Sequence, residues 1–279
     1  MLPFEVWERQ AKLMGVPRDW IIHEFFQRLI LFTLYSDLDI SWTFHGGTAL
    51  HFFYDSPRFS LDLDFTGSLS EKEYDILLDK IHSHIETYST LLGISTKITS
   101  VKYYSERPEM LRFFVVFSSK SFFKRFRIKL EILNKFFERY VMKDLLLEMP
   151  IRSIAYIKVK NLSDILIDKI CSFAGRPYFP FTDIFDIWFI RRQGVNINPK
   201  VLLSEFGLWR ETPESLNARI NELSRLPISD ILTKINDFLP NKSKLSSVLA
   251  ENMRKVVLDV LKSALSVLKD EKNYTREMD

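Results

Sequence analysis

The sequence predicts an α+β protein, with strands and helices mixed in its first half and a mainly α-helical second half. Three observations point there. Strand-like runs of alternating apolar residues cluster in the first half, and helical spacing continues from Ser163 to the end,. The third is composition: 46% hydrophobic and 27% charged residues form an ordinary globular balance, which excludes disordered, collagenous and coiled-coil classes,. At 279 residues the chain suits one large or two modest domains,. We expect a first domain over 1–155, a helical domain over 156–268 and a charged tail over 269–279, with the join near Ile154 to Asn161.

The elements follow in order. Trp20, Ile21, Phe25, Leu29 and Phe32 recur at helical spacing, and Pro17 suits a helix start,. Ser41 to Phe44 reads as a short strand, followed by Gly46-Gly47 and a helix from Thr48 to Tyr54. After the loop pair Ser56-Pro57, the stretch Leu61 to Phe65 alternates apolar and acidic residues, as a strand does,. Ser70, with Glu73 three residues on, is a capping-box start for a helix to about Leu92,. Lys97 to Tyr104, Leu111 to Ser118 and Phe126 to Leu133 are strand-like, rich in Val, Ile, Phe and Tyr,. Pro199, Pro213, Pro227 and Pro240 then punctuate the helical half,.

Cys171 is the single cysteine, so neither an internal disulfide nor a multi-cysteine metal site is available, which fits a reducing compartment,. The opening MLPFEVWERQ lacks the basic start and apolar core of a signal peptide,. No apolar stretch approaches the roughly 18 residues of a membrane span. A soluble, cytoplasmic protein without a membrane partner is expected. A net charge of +3 is too small to argue for a nucleic-acid partner without local clustering,.

Three short segments carry chemistry. In Phe44-His45-Gly46-Gly47-Thr48-Ala49-Leu50, the adjacent glycines let backbone approach a ligand closely, and the following helix start offers N–H groups to a phosphate,. Thr48 adds a hydroxyl there; the plainer alternative is a tight turn with Thr48 as N-cap. In Asp62-Leu63-Asp64 the two carboxylates point to one face of a strand, with Leu61, Leu63 and Phe65 toward the core,. Two carboxylates about 5 Å apart repel by roughly 3 kcal/mol at an effective dielectric near 20. A cation between them explains that cost, and hard oxygen ligands suit Mg²⁺; an acidic edge strand in water is the alternative. In Arg127-Ile128-Lys129-Leu130-Glu131-Ile132, the alternation sets Arg127, Lys129 and Glu131 on one face, as a third metal-facing carboxylate beside phosphate-neutralising bases or as a solvated ladder,.

Together these segments resemble the polymerase-β-like nucleotidyltransferases. Phe44 to Leu50, followed by Arg58-Phe59-Ser60-Leu61-Asp62-Leu63-Asp64-Phe65, is similar to the AbiEii/AbiGii nucleotidyltransferase toxin family, with its FKGGTxL segment and later RFSxDLDF run. Lys129-Leu130-Glu131 matches that family's lysine-x-carboxylate strand, Lys169 its helical lysine, and Arg176 with Asp183-Ile184-Phe185-Asp186 its later arginine and acidic segment. The resemblance runs over roughly 15–193. Departures are His45 for the usual lysine, Leu61 for an acidic or polar residue, and Thr182 for an arginine. The first removes a permanent cation beside the triphosphate.

The resemblance implies transfer of a nucleoside monophosphate from an NTP to an acceptor, on a polymerase-β-like head with a mixed sheet. It implies Asp62, Asp64 and Glu131 as metal ligands for Mg²⁺, or alternatively Mn²⁺, and Asp62, Asp64, Glu131, Lys169 and Asp183 as catalytic residues. Gly46, Gly47, Thr48, Arg58, Lys129 and Lys169 would bind the nucleotide. Outside the family, Lys169 and Asp183 read equally as a charge flanking an apolar stripe and a first-turn acid favoured by the helix dipole. The basic aromatic run Lys120 to Lys129 suits an RNA acceptor, by phosphate contacts and base stacking, or else is core phenylalanine under solvated cations,. Family relatives act as toxins of toxin–antitoxin or phage-defence systems, and some modify tRNA ends, which implies a tRNA 3′ end as acceptor and a cognate antitoxin as partner. A transferase acting on a protein or small-molecule hydroxyl, and a nucleotide-binding module without catalysis, are the alternatives.

Overall fold

The computed structural model describes residues 3–68, 71–101, 110–119, 125–135, 137, 139–209 and 211–276. It divides into two compact units, Met1–Lys160 and Asn161–Asp279. No helix among the described residues is long and apolar enough to cross a membrane.

The first unit opens with α1 (Pro3–Met14) and α2 (Arg18–Phe32), the latter continuing into a π-helical turn at Thr33–Asp37. Pro17 is the N-cap of α2, where its missing N–H costs nothing,. β1 (Thr43–His45), α3 (Gly46–Phe53), β2 (Asp62–Thr66), α4 (Glu71–Leu91), β3 (Ser95–Val101), β4 (Met110–Ser118), β5 (Phe126–Leu133), β6 (Tyr140–Leu147) and β7 (Ser153–Lys160) follow. Among the described residues the strands form one seven-stranded sheet in the order β3-β4-β5-β2-β1-β7-β6. It is mixed: β1 pairs parallel with β7 and β2 with β5, while β1–β2, β3–β4, β4–β5 and β6–β7 are antiparallel. The expected α+β head is therefore present.

Alternation along the strands makes one face apolar, with Phe44, Leu63, Phe65, Phe113, Ile128 and Ile157 buried,. Helix α2 packs on that face, where Phe26 stacks on Phe117 with centroids 3.9 Å apart. The opposite face carries the charged partners of those residues.

Several sequence expectations shift. The division falls inside the join expected near Ile154 to Asn161, but after Lys160 instead of at 155, because strand β7 runs to Lys160. Its alternation is regular, with Ala155, Ile157 and Val159 buried, but its role comes from insertion between β1 and β6, a long-range pairing. Helix α3 begins at Gly46 instead of Thr48. β2 begins at Asp62, and Leu61, expected in the core, is 46% exposed while its carbonyl meets His23 Nε2. Ser70 of the expected capping box lies outside the described residues.

The second unit contains α5 (Leu162–Gly175), α6 (Phe181–Arg192), α7 (Pro199–Leu208), α8 (Pro213–Arg225), α9 (Ile228–Asn236), a 3₁₀ turn at Asn241–Ser243 and α10 (Ser247–Arg276). Its starts are locally encoded. The Asn161 side chain accepts from the Asp164 N–H, Asn198 from Val201, and Thr212 forms a capping box with Ser215,. Pro199 and Pro213 stand in the first helical turn, where no N–H is needed,. Helix α10 runs through most of the stretch expected as a charged tail.

Candidate active site

Strands β2 and β5 lie parallel with Asp62 beside Lys129, Leu63 beside Leu130 and Asp64 beside Glu131. Paired residues share a face, so this register gathers Asp62, Asp64, Lys129 and Glu131 on the side away from the apolar core. Antiparallel pairing adds His45 beside Asp64 and Arg112 beside Glu131.

Clustered carboxylates need cations, and Lys129 and Arg112 are among those the chain supplies. Lys129 Nζ lies 2.8 Å from Asp62 Oδ2 and 2.8 Å from Glu131 Oε2. Arg112 donates to Glu131 Oε1 from Nε at 2.7 Å, and from Nη2 as well. Burial alone would lift the Glu131 carboxyl, but Lys129 and Arg112 outweigh it and hold it below its usual value,. Burial likewise opposes the Lys129 charge, yet Asp62 and Glu131 keep its ammonium above its usual value,.

The glycine pair explains how Asp64 reaches this position. Gly46 has φ +79°, and a Cβ there would fall 2.2 Å from Asp64 Oδ2. Glycine thus lets the chain turn from β1 straight into α3 with a carboxylate seated against the helix start, where the dipole favours negative charge. A Cβ on Gly47 would fall 2.2 Å from Arg58 Nη2 and 2.8 Å from Ser60 Oγ. Arg58 is buried and donates to the Phe59 carbonyl at 3.0 Å, and Gln27 Nε2 donates to the Ser60 carbonyl at 3.0 Å. The Arg58-Phe59-Ser60 run therefore braces the loop against the helix start.

Thr48 is not the N-cap. His45 holds that position, and the buried Thr48 hydroxyl donates to the Asp62 carbonyl, tying α3 to β2. His45 Nε2 shares a 3.0 Å hydrogen bond with Thr66 Oγ1. What α3 offers a ligand is backbone: the first N–H groups of a helix have no intrahelical acceptor.

Among the described residues no group of three or more His, Cys, Asp or Glu side chains is assembled to hold a metal ion. The Lys129 ammonium stands between Asp62 and Glu131, a cation in a setting built for positive charge. The donors fit a hard divalent cation, since Asp62 and Asp64 offer carboxylate oxygens from one strand face and two carboxylates suffice when waters and phosphates complete the shell. Of the basic aromatic run, Lys120, Ser121, Phe122, Phe123 and Lys124 lie outside the described residues. Arg127 is described, with its guanidinium carbon 3.4 Å from the centroid of the Phe114 ring.

In the second unit, Lys169 on α5 is not a solvated flank. Its Nζ lies 2.9 Å from Asp183 Oδ1 and 2.8 Å from Asp186 Oδ2, both carboxylates fully buried on α6. Ser172 Oγ donates to Asp183 Oδ2 at 3.1 Å, and Arg176 Nε stands 3.7 Å from the same oxygen. Asp183 is also a first-turn acid of α6. Sequence reasoning did not assign Asp186 or Arg112 to a site. The three-residue step from Asp183 marks Asp186 as sharing its helix face, whereas Arg112 emerges from strand register alone.

A family model described as "Nucleotidyl transferase AbiEii toxin, Type IV TA system" matches residues 29–253. The match begins later than the 15–193 expected from motifs and extends 60 residues further toward the C-terminus. Two solved structures from Helicobacter pylori share the fold. JHP933 is 18% identical with a TM-score of 0.56, over 94% of this chain and 98% of that one. A candidate nucleotidyltransferase is 20% identical with a TM-score of 0.55, over 91% of this chain and 98% of that one. No curated protein matches the sequence.

Proposed function

The chain belongs to the nucleotidyl transferase AbiEii toxin family of type IV toxin–antitoxin systems, and from that premise we propose that it moves a nucleoside monophosphate from an NTP to an RNA hydroxyl, preferentially a tRNA 3′ end. The observation that carries the reading is the register of Asp62 and Asp64 with Lys129 and Glu131, beside a glycine helix start.

Asp62 and Asp64 would hold Mg²⁺, or Mn²⁺, with Glu131 as a third ligand, and the bound ion would neutralise triphosphate charge and polarise the phosphoryl group. The backbone N–H groups at Gly46, Gly47 and Thr48 would receive phosphate oxygens. Arg58, buried beneath Gly47, would keep that wall in shape. Lys129, freed from one carboxylate, would turn to a phosphate. The acceptor oxygen forms a bond to the α-phosphorus, the bond from that phosphorus to the pyrophosphate oxygen breaks, and the hydroxyl proton passes to a carboxylate of this face. Glu131, held in place by Arg112, would help activate that hydroxyl as the third ligand. Lys169 and Asp183, which the family resemblance implies as catalytic, are paired with one another inside the helical unit, with Asp186 as second carboxylate. A cognate antitoxin would be the cellular partner.

The test is to incubate the protein with each α-labelled NTP, Mg²⁺ and either total tRNA or total protein. We expect label in tRNA with a preferred NTP, no transfer in EDTA, and a loss of about 100-fold or more for Asp64→Ala. Label in protein or a small molecule alone would sink the RNA acceptor. Unchanged transfer and toxicity in Asp64→Ala would overturn the site.

A further inference from the structure

The face that bears the carboxylates does not end at β1. Phe44 lies beside Val159 in the parallel β1–β7 pair, so Lys158 and Lys160 of β7 share the face of His45, Asp64 and Glu131. The antiparallel β6–β7 pairing then sets Tyr140 beside Lys160, Met142 beside Lys158 and Asp144 beside Tyr156 on that same face. With strands about 4.8 Å apart, Tyr140 stands about 15 Å across the sheet from Asp64, a reach of two or three nucleotides.

This flank is open. Tyr140 is 41% exposed, Met142 51% and Tyr156 63%. Lys158 Nζ sits 5.3 Å from the centre of the Tyr140 ring, and the exposed Arg139 immediately precedes it. Buried sheets do not leave tyrosines standing on a face, whereas exposed rings beside cations are the device by which sheets bind unpaired bases, the ring stacking and the cation meeting phosphate. Asp144, opposite Tyr156, lies at the end away from the carboxylates, so positive charge is nearest the site.

We propose that the β6–β7 hairpin face is the docking platform for the acceptor, a single-stranded nucleic-acid end that stacks on Tyr140 and Tyr156 with Lys158 on its backbone. The proposal rests on the RNA-acceptor reading above and adds the surface that reads it. Continuity with the carboxylate face and the cations beside Tyr140 favour a nucleic acid over an apolar protein partner.

The test uses the full-length protein and a 5′-fluorescein-labelled twelve-nucleotide single-stranded RNA, with fluorescence anisotropy for binding and labelled NMP transfer to the same RNA. Tyr140→Ala with Tyr156→Ala is expected to weaken binding by about tenfold or more, Tyr140→Phe with Tyr156→Phe to keep it, and Lys158→Ala to reduce the logarithmic salt slope by about 0.7. Binding of a fluorescent NTP analogue should be unchanged in each, which separates loss of the platform from loss of fold. If the double alanine variant binds and modifies the RNA as wild type does, the platform is refuted while the RNA reading stands. If wild type labels total tRNA yet neither binds nor labels this RNA, the platform is refuted while the RNA reading stands; if it labels neither RNA, both fall. If the double variant instead converts a dimer to a monomer in sedimentation with RNA affinity unchanged, the face joins copies of this chain and the platform is again refuted.

Discussion

Lys129 bridges Asp62 and Glu131 and gives the cluster a measurable signature. Glu131 is held below the ordinary carboxyl value of 4.5, so its pairing stabilises the fold above that value and is lost as pH falls through the lowered one,. Lys129 is held above 10.5, so its share is present below that value and is lost as pH rises through the raised one,. Without added metal, the urea midpoint gap between wild type and Lys129→Met should be flat between these limits and close on the acid side of 4.5. A gap that stays constant however far the solution is acidified below 4.5 would refute the pairing. The carboxylates and Lys129 were legible in the sequence from residue type and alternation. Their mutual contact, and the addition of Arg112, were not, because alternation reports the face and not the neighbouring strand.

Helix α3 joins to β1 through a backbone conformation that tests the motif directly. Gly46→Ala carries two penalties: a positive φ, worth about 1–2 kcal/mol, and a methyl in the space of the Asp64 carboxylate. Gly93, with φ +67° and nothing within 4 Å of its Cβ position, isolates the first. We expect Gly93→Ala to lose comparable stability and keep transfer activity, and Gly46→Ala to lose about 100-fold in transfer through displacement of Asp64. Equal effects of the two would mean that the close approach has no part in activity. The GGT and RFS motifs were visible as spacing alone. Their relation, Arg58 and Ser60 packed against Gly47, exists once α3 and the following loop fold together. The alternative of Thr48 as N-cap fails for the same reason, since its hydroxyl is taken by a carbonyl of β2.

Each unit has its own core, and the family match crosses the division between them. In the helical unit, Lys169 lies among two fully buried aspartates. Removing it by Lys169→Ala leaves carboxylates without their ammonium and should cost about 3–5 kcal/mol. Denaturant titration followed by circular dichroism should show helical signal lost earlier than in wild type. If the variant is as stable as wild type yet loses transfer, Lys169 acts in the chemistry instead of in the fold. Residue order was sufficient for the α+β head, the helical half with its punctuating prolines, and the strands that carry Asp62, Asp64 and Glu131, because periodicity is local. It was not sufficient for β7 as an inner strand, the Asp62–Lys129–Glu131 cluster, the burial of Lys169 or the exposed Tyr140 and Tyr156 face. Those depend on which distant segments lie side by side, and strand pairing is set by the packing of the whole sheet, with no periodic trace in any single segment.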